Sequence, residues 1–343
     1  MNSWMKDDLD TGHAIVSSRV RLARNLMDYP FSNKLKDNEA REIINLVSKT
    51  IREGNSILRD DFELYSMSEM SELDKAILVE KHLISKELAD DKKSAALIKK
   101  DETVSIMINE EDHLRIQTIF PGFKVDEAWE LADKIDDVLE ESLRYAFDER
   151  LGYLTACPTN VGTGMRASVM LHLPALVELG YIEGVLRAAN QIGLAVRGIY
   201  GEGTQALGNI FQISNQLTLG RKEDEILANV MGISKQMVDK EMEARKFLQN
   251  RLGFSLEDRI YRALSLLKGA RMMDSLEAMS HLSDLKMGVS MGYIKGLTHE
   301  QLDKMMVEIQ PGFQQKIYTS HDVKERDKNR SEFLRKEFKS IEI

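Results

Sequence analysis

The fold class this 343-residue sequence predicts is α+β, a largely antiparallel sheet flanked by helices, followed by an all-helical C-terminal domain. Three observations predict it. Strand alternation and helical periods interleave up to residue 219. The last strand candidate, 211–219, sets Phe211, Ile213, Leu217 and Leu219 against Gln212, Ser214, Gln216 and Thr218, the pattern of a half-exposed antiparallel strand. Beyond Gly220 helical periods run almost throughout and strand signals nearly vanish. The boundary falls near 220–225, giving domains 1–222 and 223–343.

In chain order, 38–53 reads as an amphipathic helix with Ile43, Ile44 and Val47 on one side. The alternation of Val104, Ile106 and Ile108 predicts a strand over 103–108, and 114–120 a second. Asp126 is placed to cap a helix whose stripe is Trp129, Leu131, Ile135, Val138, Leu139 and Leu143. Residues 153–156 read as strand, 166–179 and 182–192 as helices parted by Gly180, and 194–200 as strand. The rear helices are 223–252, 256–268, 275–287 and 297–309. The charge-rich end, 319–343, is expected as a helix lying on the surface.

Composition narrows function. The net charge is −9, and from Glu223 onward acidic and basic residues are equal at 20 each, so residues 1–222 carry the whole excess. Nucleic-acid binding needs a basic face to displace counterions, so this balance argues against it. The single cysteine, Cys157, permits no intrachain disulfide and fits a reducing compartment. The first residues lack an apolar signal core, and the longest apolar stretch, 167–177, is too short to span a bilayer. The expectation is a cytoplasmic protein without a membrane partner.

Familiar nucleotide motifs do not explain the chain. Gly201-Glu202-Gly203-Thr204-Gln205-Ala206 satisfies G-x-G-x-x-[GA], but a second strand soon follows it where a dinucleotide site needs a helix. Neither G-x-x-x-x-G-K-[ST] nor H-R-D occurs. Seven scattered histidines offer no zinc spacing, so no structural metal is expected.

The informative residues are arginines beside apolar strands or glycine turns: Arg19, Arg21, Arg24, Arg115, Arg166 and Arg197. Any one alone is more ordinarily a structural ion pair. Together they would clamp a triphosphate, since a guanidinium is permanently charged and its fork matches phosphate oxygens. Glu111 precedes a strand, and Glu202 lies between two glycines that let substrate approach closely. Cys157 precedes a proline and a glycine-rich turn; a buried small hydrophobe and a low-pKa thiolate beside cations remain the two readings.

Four segments carry a resemblance to the phosphagen (guanidino) kinase family. Ser17-Ser18-Arg19-Val20-Arg21-Leu22-Ala23-Arg24-Asn25 resembles its first nucleotide motif, and Asn109-Glu110-Glu111-Asp112-His113-Leu114-Arg115-Ile116 its catalytic-carboxylate segment. Cys157 to Val169 resembles its signature motif, and Arg197-Gly198-Ile199-Tyr200-Gly201-Glu202 its last phosphate and substrate motif. The resemblance implies that Ser17, Ser18, Arg19, Val20, Arg21, His82, Arg115, Arg166, Ala167, Ser168, Val169, Met170 and Arg197 to Glu202 line a site for ATP carrying Mg2+. It implies Glu111 as general base or guanidinium clamp, Glu202 as second carboxylate, and Cys157 beside the guanidinium.

Ordinary members carry a helical domain ahead of the first motif, which here begins at Ser17, and they lack the helical rear. Both departures resemble the bacterial branch that phosphorylates arginine side chains of proteins. That branch has a phosphoarginine pocket with an R-D-x-x-R-A motif; this sequence has Arg326-Asp327-Lys328-Asn329-Arg330-Ser331, with serine last, so Arg326, Asp327 and Arg330 are the candidates. The resemblance further implies a stress-response setting, a zinc-binding activator protein, and a heat-shock repressor and an AAA+ unfoldase–protease as partners. The methionine-bearing stretch 279–291 fits either ordinary core or a homodimer face. Two alternatives stay open: a kinase for free arginine or another small guanidino compound, and a non-catalytic phosphoarginine-binding adaptor.

Overall fold

The computed structural model describes residues 13–53, 61–198, 206–319 and 322–342. The strands are β1 (Ile15–Arg24), β2 (Phe62–Ser66), β3 (Ala95–Lys99), β4 (Val104–Ile108), β5 (Leu114–Pro121), β6 (Phe147–Asp148), β7 (Gly152–Tyr153), β8 (Met165–His172), β9 (Leu194–Gly198) and β10 (Ile210–Asn215). The helices are α1 (Asp37–Glu53), α2 (Glu72–Glu80), α3 (Lys86–Asp90), α4 (Val125–Glu140), α5 (Pro174–Glu178), α6 (Ile182–Gln191), α7 (Glu223–Leu252), α8 (Phe254–Gly269), α9 (Ser275–Ser290), α10 (His299–Glu308), α11 (Pro311–Tyr318) and α12 (Val323–Glu337). Eight strands form one sheet in the order β2-β3-β4-β5-β1-β8-β10-β9, and β6 pairs with β7 as a separate hairpin. The α+β class and the helical rear are as expected.

The chain clusters into two compact units. One comprises Ser17–Val169 with Ser214–Met231, the other chiefly Met170–Ile213 with Gly232–Ile343.

In the first unit, antiparallel register sorts side chains by face. β1 pairs with β5 so that Arg21 lies opposite Gln117 and Ala23 opposite Arg115. β4 continues the rows, with Ser105 opposite Gln117 and Met107 opposite Arg115. Directly opposite residues share a face, so Arg19, Arg21, Arg115 and Gln117 project to one side. Val20, Leu22, Ile116 and Thr118 project to the other and are buried. There α4 covers them: Thr118 Oγ1 donates to Ala128 O (2.6 Å). The buried stripe of α4 is Val125, Ala128, Ala132, Ile135 and Leu139, and its N-cap is Lys124 rather than Asp126, which sits exposed in the first turn. On the arginine side the segment around α2 and α3 packs Met67, Leu83, Ile84 and Leu88 onto Ala96, Ile98 and Met107.

Several sequence expectations need correction. Residues 166–172, expected as the start of a helix, are the central strand β8, and the helix begins only at α5, where Pro174 occupies the first turn. Apart from Arg166 the whole of β8 is buried. A strand covered on both faces shows no alternation, which is why an apolar run there mimics a helix. β10 ends at Asn215 and is buried except at Gln212, while Leu217 and Leu219 lie beyond it and are exposed. Of the expected strand over 153–156 only Tyr153 lies in a strand, the two-residue β7 that it forms with Gly152. The final helix α12 is not merely a surface helix: Arg330, Ser331 and Leu334 are buried.

In the second unit α9 packs on α8 and α10, and α12 on α8 and α11. A buried polar centre lies among them. Ser283 Oγ accepts from Asn209 Nδ2 (2.9 Å) and lies 2.8 Å from His172 Nε2. The rings of His13 and His299 stack 4.0 Å apart, and Lys286 pairs with Asp303. Burial, then the charges of Lys286 and Arg245 among others, holds His172 well below the ordinary histidine range and His299 down to about 2. Both histidines are therefore neutral when folded and free to protonate when unfolded. Stability is full above the unfolded pKa of about 6.5 and falls as pH drops below it, by up to about 1.4 kcal/mol per pH unit for each histidine. Urea midpoints at pH 7.5 and 5.5 should show the decline, and His299→Asn should flatten it; equal slopes in both proteins would refute this origin.

No helix among the described residues is long and apolar enough to cross a membrane.

Candidate active site

Four guanidinium groups gather on the first unit. Arg19 and Arg21 come from alternate positions of β1, Arg115 from β5 beside it, and Arg166 from β8, the neighbour of β1 on its other edge. Burial, then the charges of Arg115 and Arg166, pulls the pKa of Arg19 down to about 10. Arg21 is lowered by burial and by Arg19, Arg115 and Arg166, with Glu110 opposing. The buried Nε atoms of Arg21 and Arg115 have no hydrogen-bond acceptor among the described residues. Like charges held together with unused donors cost free energy until an anion joins them.

The near carboxylate is Glu110. It lies 2.8 Å from Arg115 Nη1 and accepts a hydrogen bond from Ser85 Oγ. Burial pushes its pKa up, against the pull of Arg115 and Ser85. Ser85 also caps α3 by accepting from Leu88 N (3.1 Å), so one hydroxyl joins the helix to the pair. His82 stands in the same neighbourhood at positive φ (59°); burial and Arg19 push it down to about 3, which leaves a neutral imidazole. Gln117 Nε2 donates to the His82 carbonyl (2.8 Å), fixing that turn over the sheet.

The turn bearing Glu111 is built by residues whose part was not anticipated. Asn25 Nδ2 donates to Asp112 Oδ1 (2.6 Å) and to Leu154 O (3.0 Å), and Asn25 Oδ1 accepts from His113 N (2.9 Å). Asp112 Oδ1 also accepts from Ala156 N (2.7 Å), directly before Cys157. His113 Nδ1 accepts from Leu26 N (2.9 Å), so its other nitrogen is the donor toward Pro30 O (2.8 Å). These bonds turn Glu110 inward, leave Glu111 exposed, and tie the Glu111 turn to the Cys157 turn. The partners lie far apart in sequence, so only their presence inside the matching motifs could have flagged them. Cys157 is half-buried, with Sγ 3.0 Å from Thr159 Oγ1.

The remaining expected residues separate. Ser17, Ser18 and Val20 are buried on β1; Ser18 Oγ donates to Gly122 O (2.8 Å) and accepts from Lys124 N (3.0 Å). Ala167, Ser168, Val169 and Met170 are buried on β8, where Asn215 accepts from Ala167 N (2.9 Å) and donates to Met165 O (3.0 Å), steadying the strand beside Arg166. Arg197, exposed, and Gly198, half-buried, lie on β9 in the second unit. Ile199, Tyr200, Gly201 and Glu202 lie outside the described residues. Arg24, on the opposite face from Arg21, is structural: Nε and Nη2 pair with Asp136 Oδ2 (2.9 and 2.6 Å), and Nη1 donates to Thr163 O (3.0 Å). Gly164 (φ +63°) passes so close that an added Cβ would lie 2.6 Å from both Ala23 O and Arg24 Nη1. Gly164→Ala should therefore loosen the turn carrying Cys157, lowering Tm by several degrees; an unchanged melting curve would contradict the close approach.

In the second unit Arg326 and Asp327 are half-buried on α12, and Arg330 is buried. Ser331 donates to Asp327 O (3.1 Å), so the serine in place of the motif's alanine is satisfied within its own helix.

Four arginines on one face of an antiparallel sheet, with one buried carboxylate beside them, form a strongly cationic site whose charge and unused donors suit an anion with several oxygens. Residues 42–244 match the family described as ATP:guanido phosphotransferase, C-terminal catalytic domain, and residues 254–343 match the protein-arginine kinase McsB C-terminal domain. A protein-arginine kinase of Caldanaerobacter subterraneus subsp. tengcongensis is 50% identical over 93% of this chain and 95% of its own. One of Brevibacillus brevis is 46% identical over 99% of this chain and 96% of its own. Among solved structures, a lombricine kinase superposes with a TM-score of 0.59 at 25% identity, over 70% of this chain and 68% of its own. The duplicated taurocyamine kinase of Schistosoma mansoni superposes with a TM-score of 0.61 at 25% identity, over 75% of this chain and 38% of its own. The chain belongs to the ATP:guanido phosphotransferase family, in its protein-arginine kinase branch.

Proposed function

We propose that this chain transfers the γ-phosphate of ATP to the guanidinium of arginine side chains in proteins. The observation that carries the reading is the cluster of Arg19, Arg21, Arg115 and Arg166, a set of like charges that a polyphosphate would neutralise. Arg197 joins them in this reading, and magnesium arrives bound to the nucleotide as part of the substrate. A guanidinium is a poor nucleophile, being delocalised and protonated at neutral pH. Glu111 and Glu202 align the planar group; one of them removes a proton as the nitrogen attacks phosphorus. Cys157 lies beside the acceptor, and His82 lines the nucleotide site with the segments from Ser17 to Arg21 and from Arg166 to Met170, of which Arg19, Arg21 and Arg166 turn toward it and the buried residues between them hold the strands.

Residues 1–222 form the catalytic domain in this reading, and 223–343 a helical domain with a phosphoarginine pocket at Arg326, Asp327 and Arg330. The protein acts in the cytoplasm in stress response, with a zinc-binding activator, a heat-shock repressor and an AAA+ unfoldase–protease as its partners.

The test is incubation with MgATP and an arginine-rich protein, with phosphosites mapped by mass spectrometry under non-acidic conditions. Phosphoarginine should form, and Glu111→Gln should reduce its rate about a hundred- to ten-thousand-fold. ADP release that requires free L-arginine, with no protein labelled, would favour the small-molecule kinase instead. Nucleotide binding without transfer to either acceptor would leave the adaptor.

A further inference from the structure

The β6–β7 hairpin of the first unit walls a cleft of about 230 Å³ that the proposed mechanism does not use. Phe147, Leu151 and Tyr153 form its apolar side, Gly162 and Thr163 belong to the turn that follows Cys157, and Glu223 opens α7. Phe147 is 50% exposed and Leu151 46%. A lone exposed apolar residue is ordinary, but two beside an aromatic ring in one concave site mark a contact surface. The wall is held in place. Phe147 meets Tyr153 edge to face with centroids 5.2 Å apart, and the Arg24 guanidinium lies 3.5 Å from the centroid of the Tyr153 ring. Tyr153 N donates to Gly162 O (2.8 Å), joining the hairpin to the turn.

Charge gives the occupant its sign. The exposed side of α4 carries Asp126, Glu127, Glu130, Asp133, Asp137 and Glu140 against Lys134 alone. α4 reaches the cleft wall through Asp136, whose Oδ2 pairs at 2.6 Å with the same Arg24 guanidinium that lies against the Tyr153 ring. Burial and then Asp137, Asp136 and Glu223 push the pKa of Asp133 up; Tyr153, raised first by burial, also feels Asp136, Glu140 and Glu223. Among the lining residues Arg221 offsets Glu223, so the acidic bias comes from α4.

We propose that this cleft and the acidic face of α4 dock a basic segment of the substrate polypeptide. One long cationic side chain lies against Phe147 and Leu151, and neighbouring lysines and arginines face the α4 carboxylates. Continuity with the Cys157 turn leads such a segment toward the proposed acceptor site. The inference rests on the protein-arginine reading, for which it supplies a substrate class: basic segments rather than isolated arginines.

The experiment uses the full chain and two variants, the triple Asp133→Asn/Asp137→Asn/Glu140→Gln and Phe147→Ala. Initial rates are measured on an arginine-rich protein, and anisotropy follows a labelled arginine-rich peptide without nucleotide. Both variants should raise KM for the protein and Kd for the peptide about fivefold, with kcat and the KM for ATP unchanged. Added salt should weaken the native chain's peptide binding more than the triple variant's. Native KM and Kd in both variants, or no peptide binding by the native chain, would overturn docking. Peptide binding that the variants weaken, without phosphoryl transfer by the native chain, would keep the docking surface and remove the catalytic reading.

Discussion

Arg21→Gln is expected to cost about a thousandfold or more in phosphoryl transfer while raising Tm by roughly 2–4 °C in the absence of nucleotide. The two effects have one cause. Arg21 is held among Arg19, Arg115 and Arg166, each of which disfavours its charge, and its Nε has no acceptor among the described residues. Removing one cation relieves repulsion in the empty site and deletes a donor from the filled one, the ordinary trade between stability and activity. Nucleotide should accordingly stabilise the native chain strongly and the variant weakly, because a ligand stabilises only through its affinity for the folded state. Arg115→Gln separates this account from a generic one. It also removes a cation, yet it strips Glu110 of its partner at 2.8 Å, so Tm should fall. Thermal melts of the native chain and both variants with and without nucleotide, beside kcat/KM, check these outcomes. An Arg21→Gln protein that melts lower and keeps its activity would show that the cluster is structural.

That contrast follows from strand register. Arg19 and Arg21 are two apart and Arg24 is three further on, so once 15–24 is a strand, alternation puts Arg24 on the other face, where it meets Asp136; the sequence alone predicts no strand there and groups Arg24 with the phosphate-clamp candidates. The strands β4 and β5 were legible because polar and apolar residues alternate along them or beside them. The strand β8 was not, since covered faces erase the period, and with it went the placement of Arg166 on a central strand. The polar residues Asp112 and His113 sat in plain view next to Glu111, but their partners Asn25, Leu26 and Ala156 are brought near only by the fold. Long-range hydrogen bonds of this kind leave no local periodicity. The same limit affected the C-terminal helix, where a run of charges looked solvated and one of them proved to be buried.

Replacement of that buried residue, Arg330→Met, is expected to destabilise the second unit by about 3–5 kcal/mol. Arg330 is 2% exposed. Its Nε donates to Ile309 O (2.7 Å) at the C-terminal end of α10, and its Nη1 donates to Met273 O (2.9 Å) just before α9. The same Nη1 lies 2.6 Å from Asp327 Oδ1, one turn earlier on α12. One planar cation thus joins three helices and satisfies a carbonyl at a helix end, where the macrodipole favours positive charge. Methionine fills much of the volume but leaves two buried carbonyls and a half-buried carboxylate without their donor. Lysine keeps the charge but lacks the planar fork, so Arg330→Lys should lose only about 1–2 kcal/mol. Arg326, half-buried on the same helix, gives the control: Arg326→Ala should lower the stability measured by urea unfolding by less than about 1 kcal/mol. The comparison matters for the proposed phosphoarginine pocket. Weakened phosphoarginine binding in Arg326→Ala, with a native midpoint, reports on ligand contact. The same weakening in Arg330→Met reports first on the loss of the helix junction that positions Asp327. If Arg330→Met unfolds at the native midpoint while phosphoarginine binding disappears, the side chain is a ligand contact instead, and its carbonyl bonds contribute little to the fold.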